Sequence, residues 1–188
     1  MKKVMILAGA GLLLFSAGCQ QREHMNEQEV FPAEKHAVMD VTVPLINSEG
    51  KEAGKAVLSE TFKGVNVHLT AKGLAPGAKA IHFHETGSCK TPDFMSAGGH
   101  FNPEGKMHGL KNPKGPHAGD MLNIIIPESG TADVNVTAPF VTLEEGKPNS
   151  LLDENGSALV IHEKADDYVT DPAGNAGKRI LCGVVKKQ

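Results

Sequence analysis

Two histidines one residue apart, His82 and His84, sit in the run HFHE at residues 82–85. A β-strand puts side chains at i and i+2 on the same face, so these two imidazoles can converge on one point. His162 lies in another strand-like run, LVIHEKADD. Between them, GGHFNPEGKMHGLKNPKGPHAGD holds His100, His108, His117 and Asp120. Three imidazoles and a carboxylate make a closed four-coordinate donor set suited to zinc, with no position left for a substrate. Clustered imidazoles in a square-planar or tetragonal array suit Cu(II), although imidazole by itself excludes neither zinc nor nickel. A single histidine is more often a surface residue than a ligand. Three within eighteen residues, in a chain with nine, reverse that expectation.

The elements that must hold these side chains read as strands. Period-two patterning runs through AVMDVTVPLI, then AGKAVLSET and GVNVHLTAKG as a hairpin with FKG near its turn. LAPGAKAIHFHE carries the chain through a Pro-Gly turn into a further strand, LNIIIPESGTADVNVTA reads as two around PESG, and SALVIHEKA and KRILCGVV as two more. Roughly eight short strands with no amphipathic helix predict an all-β domain, an antiparallel sandwich or barrel. Residues 86–120 break the pattern, being rich in Gly, Pro, Asn and His. A loop of that length in a compact domain is uncommon and usually functional.

The start of the chain predicts export. Lys2 and Lys3 precede an apolar run from Val4 to Ala17, too short for a comfortable membrane span and suited to a secretory leader. It ends in SAGC, which resembles a bacterial lipobox with serine in place of the commoner leucine, so residues 1–18 are expected to be a lipoprotein signal peptide and Cys19 the lipidated residue. Residues 19–36 are mostly polar and read as a flexible tether, with a mean reach of roughly 20–25 Å. Residues 37–188 remain as one domain. In an oxidising compartment Cys89 and Cys182 are then left as a pair, for which a disulfide is the default. Formal net charge is −3, and loss of Lys2 and Lys3 makes it −5. An acidic domain without a basic run argues against nucleic acid as the partner.

HFHE, GGHFNP, HGLKNPKGPHAGD, LVIHEKADD and GNAGKRILCGVV together resemble the signature blocks of the copper/zinc superoxide dismutases, in that family's order, over about residues 38–185. The resemblance implies an eight-stranded Greek-key β-barrel, an immunoglobulin-like sandwich, with long metal-binding and electrostatic loops. It implies copper on His82, His84, His100 and His162, and zinc on His100, His108, His117 and Asp120. His100 would then bridge the two metals as an imidazolate. Asp166 matches the family aspartate that hydrogen-bonds one copper histidine and one zinc histidine, here His82 and His108. Cys89 and Cys182 match the family disulfide.

Arg179 matches the arginine beside copper, where a permanently charged guanidinium can hold a small anion. The loop DDYVTDPAGNAGK is shorter than in many eukaryotic members and lacks their steering lysine, with Lys178 close by. His24, His36 and His68 match no ligand and read as surface residues. The implied activity is dismutation of superoxide to dioxygen and hydrogen peroxide by alternating reduction and oxidation of copper, with His100 in the proton route. The expected setting is the outer face of a bacterial cell membrane, reached through the lipid on Cys19. Family members include monomers and dimers built on different faces, so a homodimer stays open. The rival reading is a dismutase-like metal-binding protein without turnover, which loss of a copper ligand would favour; all four are present. A zinc hydrolase is a weaker rival, because the zinc set leaves no open position for water.

Overall fold

The structure is a computed structural model that describes residues 40–187. The expected leader and tether, with Cys19, His24 and His36, lie outside the described residues.

β1 (Val41–Asn47), β2 (Glu52–Thr61) and β3 (Gly64–Ala71) form an antiparallel meander. The β1–β2 turn is closed by Asn47, whose Oδ1 accepts from the amides of Glu49 and Lys51, the turn chemistry that favours asparagine there. Alternation then does the sorting. Val41, Val43 and Leu45 of β1 and Val65, Val67, Leu69 and Ala71 of β3 are buried, and the residues between them are more exposed.

β7 (Ala132–Ala138) extends this sheet beyond β3, and β9 (Arg179–Val185) extends it beyond β1. β8 (Ser157–His162) and β5 (Ile81–His84) follow, giving the order β5-β8-β9-β1-β2-β3-β7. β4 (Gly77–Lys79) and β6 (Ile124–Ile126) make a separate two-stranded ribbon.

The run LAPGAKAIHFHE, expected as one strand, is thus two. β4 pairs with β6, whereas β5 pairs with β8. The change falls at Ala80, whose N–H donates to Lys164 O and whose carbonyl accepts from His162 N. Counted as one strand that changes partner, β4 and β5 bring the total to the expected eight, and the curled sheet is the barrel of the sequence reading. Among the described residues the only helix is a single 3₁₀ turn, Met95–Ala97.

β5 and β8 differ from the other strands in being buried on both faces. Ile81, Phe83, Leu159 and Ile161 join the main core. The opposite parity of β8, Ala158 and Val160, packs with Phe94, Ala97 and Cys182 in a second, smaller cluster. His82, His84 and His162 share that outer parity and are covered by the long segment 86–120 and by the loop 163–178. A strand with two buried faces is therefore what turns a His-x-His pair from surface residues into buried ones. The disulfide Cys89–Cys182, Cα–Cα 5.7 Å, ties the long segment to β9. With its cysteines 93 positions apart, it removes about 4–5 kcal/mol of unfolded-chain freedom in the loop-entropy picture.

Candidate metal centre

Two quartets of donors lie side by side. His82, His84, His100 and His162 form one, and His100, His108, His117 and Asp120 the other; within each, the donor atoms fall within 4.8 Å of one another. All seven residues are buried. β5 supplies His82 and His84, β8 supplies His162, and the segment after β5 supplies the rest. That segment is registered on β5 by bridges from His84 to His100 and from His82 to Asp120. It is anchored too by Phe83, whose amide donates to Gly119 O and whose carbonyl accepts from Phe101 N.

The hydrogen bonds fix which nitrogen of each ring is free. His84 donates from Nδ1 to Gly98 O at 3.0 Å and His162 from Nδ1 to Gly177 O at 3.4 Å. His82 instead donates from Nε2 to Asp166 Oδ2 at 2.9 Å. His100 turns Nδ1 towards Asp120 Oδ1 at 2.8 Å. What remains is His82 Nδ1 and the Nε2 atoms of His84, His100 and His162, and these four are enclosed without a hydrogen-bond partner. Buried polar atoms are normally satisfied, so four orphaned lone pairs converging on one point are a donor set waiting for a cation. Four imidazoles in one array suit Cu(II).

The second quartet is organised around Asp120. Its Oδ1 lies 2.8 Å from His100 Nδ1, 3.2 Å from His108 Nδ1 and 3.5 Å from His117 Nδ1. Its Oδ2 accepts from the amides of His117 and Gly109 at 3.0 and 2.9 Å, which hold the carboxylate in place. His117 Nδ1 is itself enclosed without a hydrogen-bond partner. Three imidazoles and one carboxylate suit a closed zinc site. His100 belongs to both quartets, with one nitrogen on each side.

Asp166 joins the quartets from behind. One oxygen faces His82 Nε2, and the other lies 3.0 Å from His108 Nε2. His82, His108 and Asp166 also meet the spacing of a metal group, but their facing atoms are spent on each other, which makes them the support of the two quartets. Asp166 is held by Asn123, whose Oδ1 accepts from Asp166 N and whose Nδ2 donates to Asp166 O, both at 2.9 Å. Tyr168 adds a backbone N–H to Asp166 Oδ1. Gly174, at φ +61°, leaves no room for a Cβ, which would run into the Asp166 carboxylate.

Electrostatics follow burial and partners. Burial, aided by neighbouring imidazoles and Arg179, pushes His84 well below the usual histidine range. Burial chiefly, opposed by Asp120, lowers His100 to about 4. Burial and the nearby His82 lower His162 to about 3. These rings are neutral at pH 7, the state that offers a lone pair. Burial would also lower His108, but hydrogen bonds to Asp120 and Asp166 outweigh it and raise the ring to about 9. Burial opposes ionisation of both acids, yet their histidine partners hold Asp120 and Asp166 well below the carboxylate range.

Arg179 is half-buried, and burial is the main cause of its lowered pKa. It donates from Nη1 to Phe94 O at 2.8 Å and from Nη2 to Gly98 O at 2.7 Å. With Lys178, Asp93 and Met95 it lines a cleft of about 500 Å³. His68 lies away from both quartets, half-buried on β3, with Nε2 2.8 Å from Asp133 on β7.

Gly98, Phe94, Glu85 and Asn123 join the site without being among the residues expected from the sequence. Glu85 Oε1 accepts from Gly99 N at 2.9 Å and so clamps the turn that delivers His100. The Gly-Gly pair before His100 was a usable sign of close backbone approach. Nothing in the sequence marked Asn123.

Residues 52–185 match the copper/zinc superoxide dismutase family. The chain is 52% identical to superoxide dismutase [Cu-Zn] 2 of Aquifex aeolicus, over 99% of this chain and all of that one. The crystal structure of a superoxide dismutase-like protein from Bacillus subtilis superposes with a TM-score of 0.75 at 47% identity, covering 77% of this chain and 97% of that one. The copper/zinc superoxide dismutase of Brucella abortus gives a TM-score of 0.65 at 28% identity, covering 78% and 99%. Likeness of sequence over a relative's entire length and likeness of the curled sheet agree with the paired donor sets: the chain belongs to the copper/zinc superoxide dismutase family.

Proposed function

We propose that this protein dismutes superoxide, converting two superoxide anions and two protons to dioxygen and hydrogen peroxide. The observation that carries the reading is the convergence of four orphaned imidazole nitrogens beside a second, closed donor set that shares His100. In this reading His82, His84, His100 and His162 hold copper, and His100, His108, His117 and Asp120 hold zinc. When bound, copper supplies reversible one-electron exchange, and zinc supplies a fixed positive charge that pins the long segment.

The side chains have distinct tasks. Arg179 offers a permanent charge and planar donors to a small anion entering its cleft, and Lys178 on the same cleft adds to the positive focus. The carbonyls of Phe94 and Gly98 orient the guanidinium. His100 keeps Nδ1 towards Asp120, so Nε2, on the side of His82, His84 and His162, is the atom at which a proton can be held and passed on. Asp166 and the carbonyls of Gly98 and Gly177 fix the tautomers of the other rings, as orienting partners of metal-bound imidazoles do. The test is superoxide consumption by protein loaded with one copper and one zinc per chain. Binding of both metals without accelerated dismutation would leave a metal-holding relative of the enzymes.

The reading extends to the cell envelope. Residues 1–18 act as a lipoprotein signal peptide, Cys19 carries the lipid, and residues 19–36 tether the domain of residues 37–188 to the outer face of a bacterial membrane. Support comes from the SAGC end of the apolar run and from the Cys89–Cys182 bridge, which suits an oxidising compartment. Cys19→Ala should leave activity intact and move the protein from the detergent phase to the aqueous phase. Unchanged partitioning would remove the anchor.

A further inference from the structure

Lys79, the last residue of β4, retains only 7% of its exposure. Buried lysines are rare unless paired, because an ammonium without acceptors is costly to remove from water. Among the described residues the lysine ion pairs are Lys51–Glu49, Lys106–Glu104, Lys147–Glu144 and Lys187–Glu145, and the Lys79 side chain has neither such a pair nor a hydrogen bond. Yet its Nζ is absent from the sealed, partnerless atoms, all of which are histidine ring nitrogens. The head is therefore not sealed from solvent, as for a lysine whose stem is buried and whose charge is not, and the residue lines a cleft.

That cleft, about 370 Å³, is also lined by Lys72, Asn47, Ser48, Glu163 and Ile180. Lys72 is exposed and likewise has no ion pair among the described residues. Asn47 spends its Oδ1 on two backbone amides, which leaves its side-chain NH2 as the group with donors to offer. Glu163 is the one acid on the wall, and its Oε2 turns to the amide of Lys178 at 3.4 Å. Donors thus outnumber acceptors in a concavity of small-molecule size.

We infer that this cleft binds a small oxyanion, of the class of inorganic phosphate or bicarbonate, with Lys79 Nζ as its central donor and Lys72 at the rim. The site adjoins the Arg179 cleft, with which it shares Ser48 and Ile180 as walls. It is separate from the donor quartets and does not depend on their metal content or on turnover.

The test is a thermal-shift titration of the metal-loaded protein with sodium phosphate and, separately, bicarbonate at constant ionic strength. At ten times its dissociation constant, an anion bound to the native state should raise Tm by about 3 °C. Lys79→Met should abolish the rise. Lys72→Ala, at an exposed position that cannot compromise folding, should weaken binding by about 3- to 10-fold. Arg179→Gln should leave it in place. No rise in the parent with either anion, or a rise that persists in Lys79→Met, overturns the site. So does a rise lost in Arg179→Gln, which would assign the anion to the neighbouring cleft. If Lys79→Met fails to fold, unchanged anion affinity in Lys72→Ala overturns it.

Discussion

His84 and Arg179 donate to the same oxygen, the carbonyl of Gly98, at 3.0 and 2.7 Å. One peptide group therefore fixes both the tautomer of a proposed copper ligand and the position of the proposed anion-holding charge. The sharing also makes the two separable by mutation, since His84 keeps its acceptor when the guanidinium is removed.

Arg179→Ala should accordingly retain copper and zinc and lose rate. We expect kcat/KM for superoxide to fall by about 10- to 100-fold, the scale of local charge focusing, with a weaker dependence on ionic strength. Pulse radiolysis at two salt concentrations and metal analysis of the same sample decide it. A variant with parental rate would remove Arg179 from the substrate path.

His100 is the one ring that faces both quartets. His100→Ala should disturb both metals, whereas His84→Ala should reduce copper and leave zinc largely bound. Three histidines remain for copper in His100→Ala, so dismutase activity should fall by far more than copper content. Copper spectra recorded with and without zinc should differ in the parent and coincide in the mutant. Spectra that never respond to zinc would rule out a shared imidazole.

Asp166 spends one oxygen on His82 and the other on His108. Asp166→Asn keeps the shape but replaces one acceptor with a donor, which meets a ring N–H. Metal affinity should drop by about 10- to 100-fold, as for other partners that orient ligands. Competition with a graded series of chelators measures this, and parental affinity for both metals would refute the supporting role.

The metal-free polypeptide should have a stability optimum near neutral pH. His100 and His162 are lowered to about 4 and about 3, mainly by burial. Below pH ~6.5 the unfolded chain takes up protons that these folded rings refuse, so stability falls as pH drops towards 4. His108 has the opposite sign. Raised to about 9 by Asp120 and Asp166 against the effect of burial, its contribution is complete below pH ~6.5 and is lost as pH rises through 9. Each net proton gives a slope of about 1.4 kcal/mol per pH unit. Urea unfolding of chelator-treated protein at pH 5, 7 and 9 should show the highest midpoint at 7. Midpoints that rise steadily to pH 9 would contradict the assignment of His108.

Much of the site was readable before the fold because imidazole is chemically conspicuous and strand parity is simple. His82, His84 and His162 were placed on strands, and His100, His108, His117 and Asp120 on the long loop, where the structure has them. Parity alone could not say that β5 and β8 are buried on both sides, since that depends on segments folding back over them. Nor could it show the handover at Ala80, which is a choice of partner strand. The Asn123–Asp166 and Arg179–Gly98 bonds span 43 and 81 residues; pairings of that range leave no periodic trace.

The two quartets differ in how far they reach along the chain. The one from His100 to Asp120 lies within twenty-one consecutive residues, whereas the one from His82 to His162 needs β8, which pairs with β5 across about eighty. Ordering the longer span costs about 1.2 kcal/mol more by loop closure alone, and it waits on the barrel. The local quartet needs no donor from the strands that follow Asp120. The two sites thus differ in what must fold before their donors meet, one loop laid on β5 for the first and the closed sheet for the second.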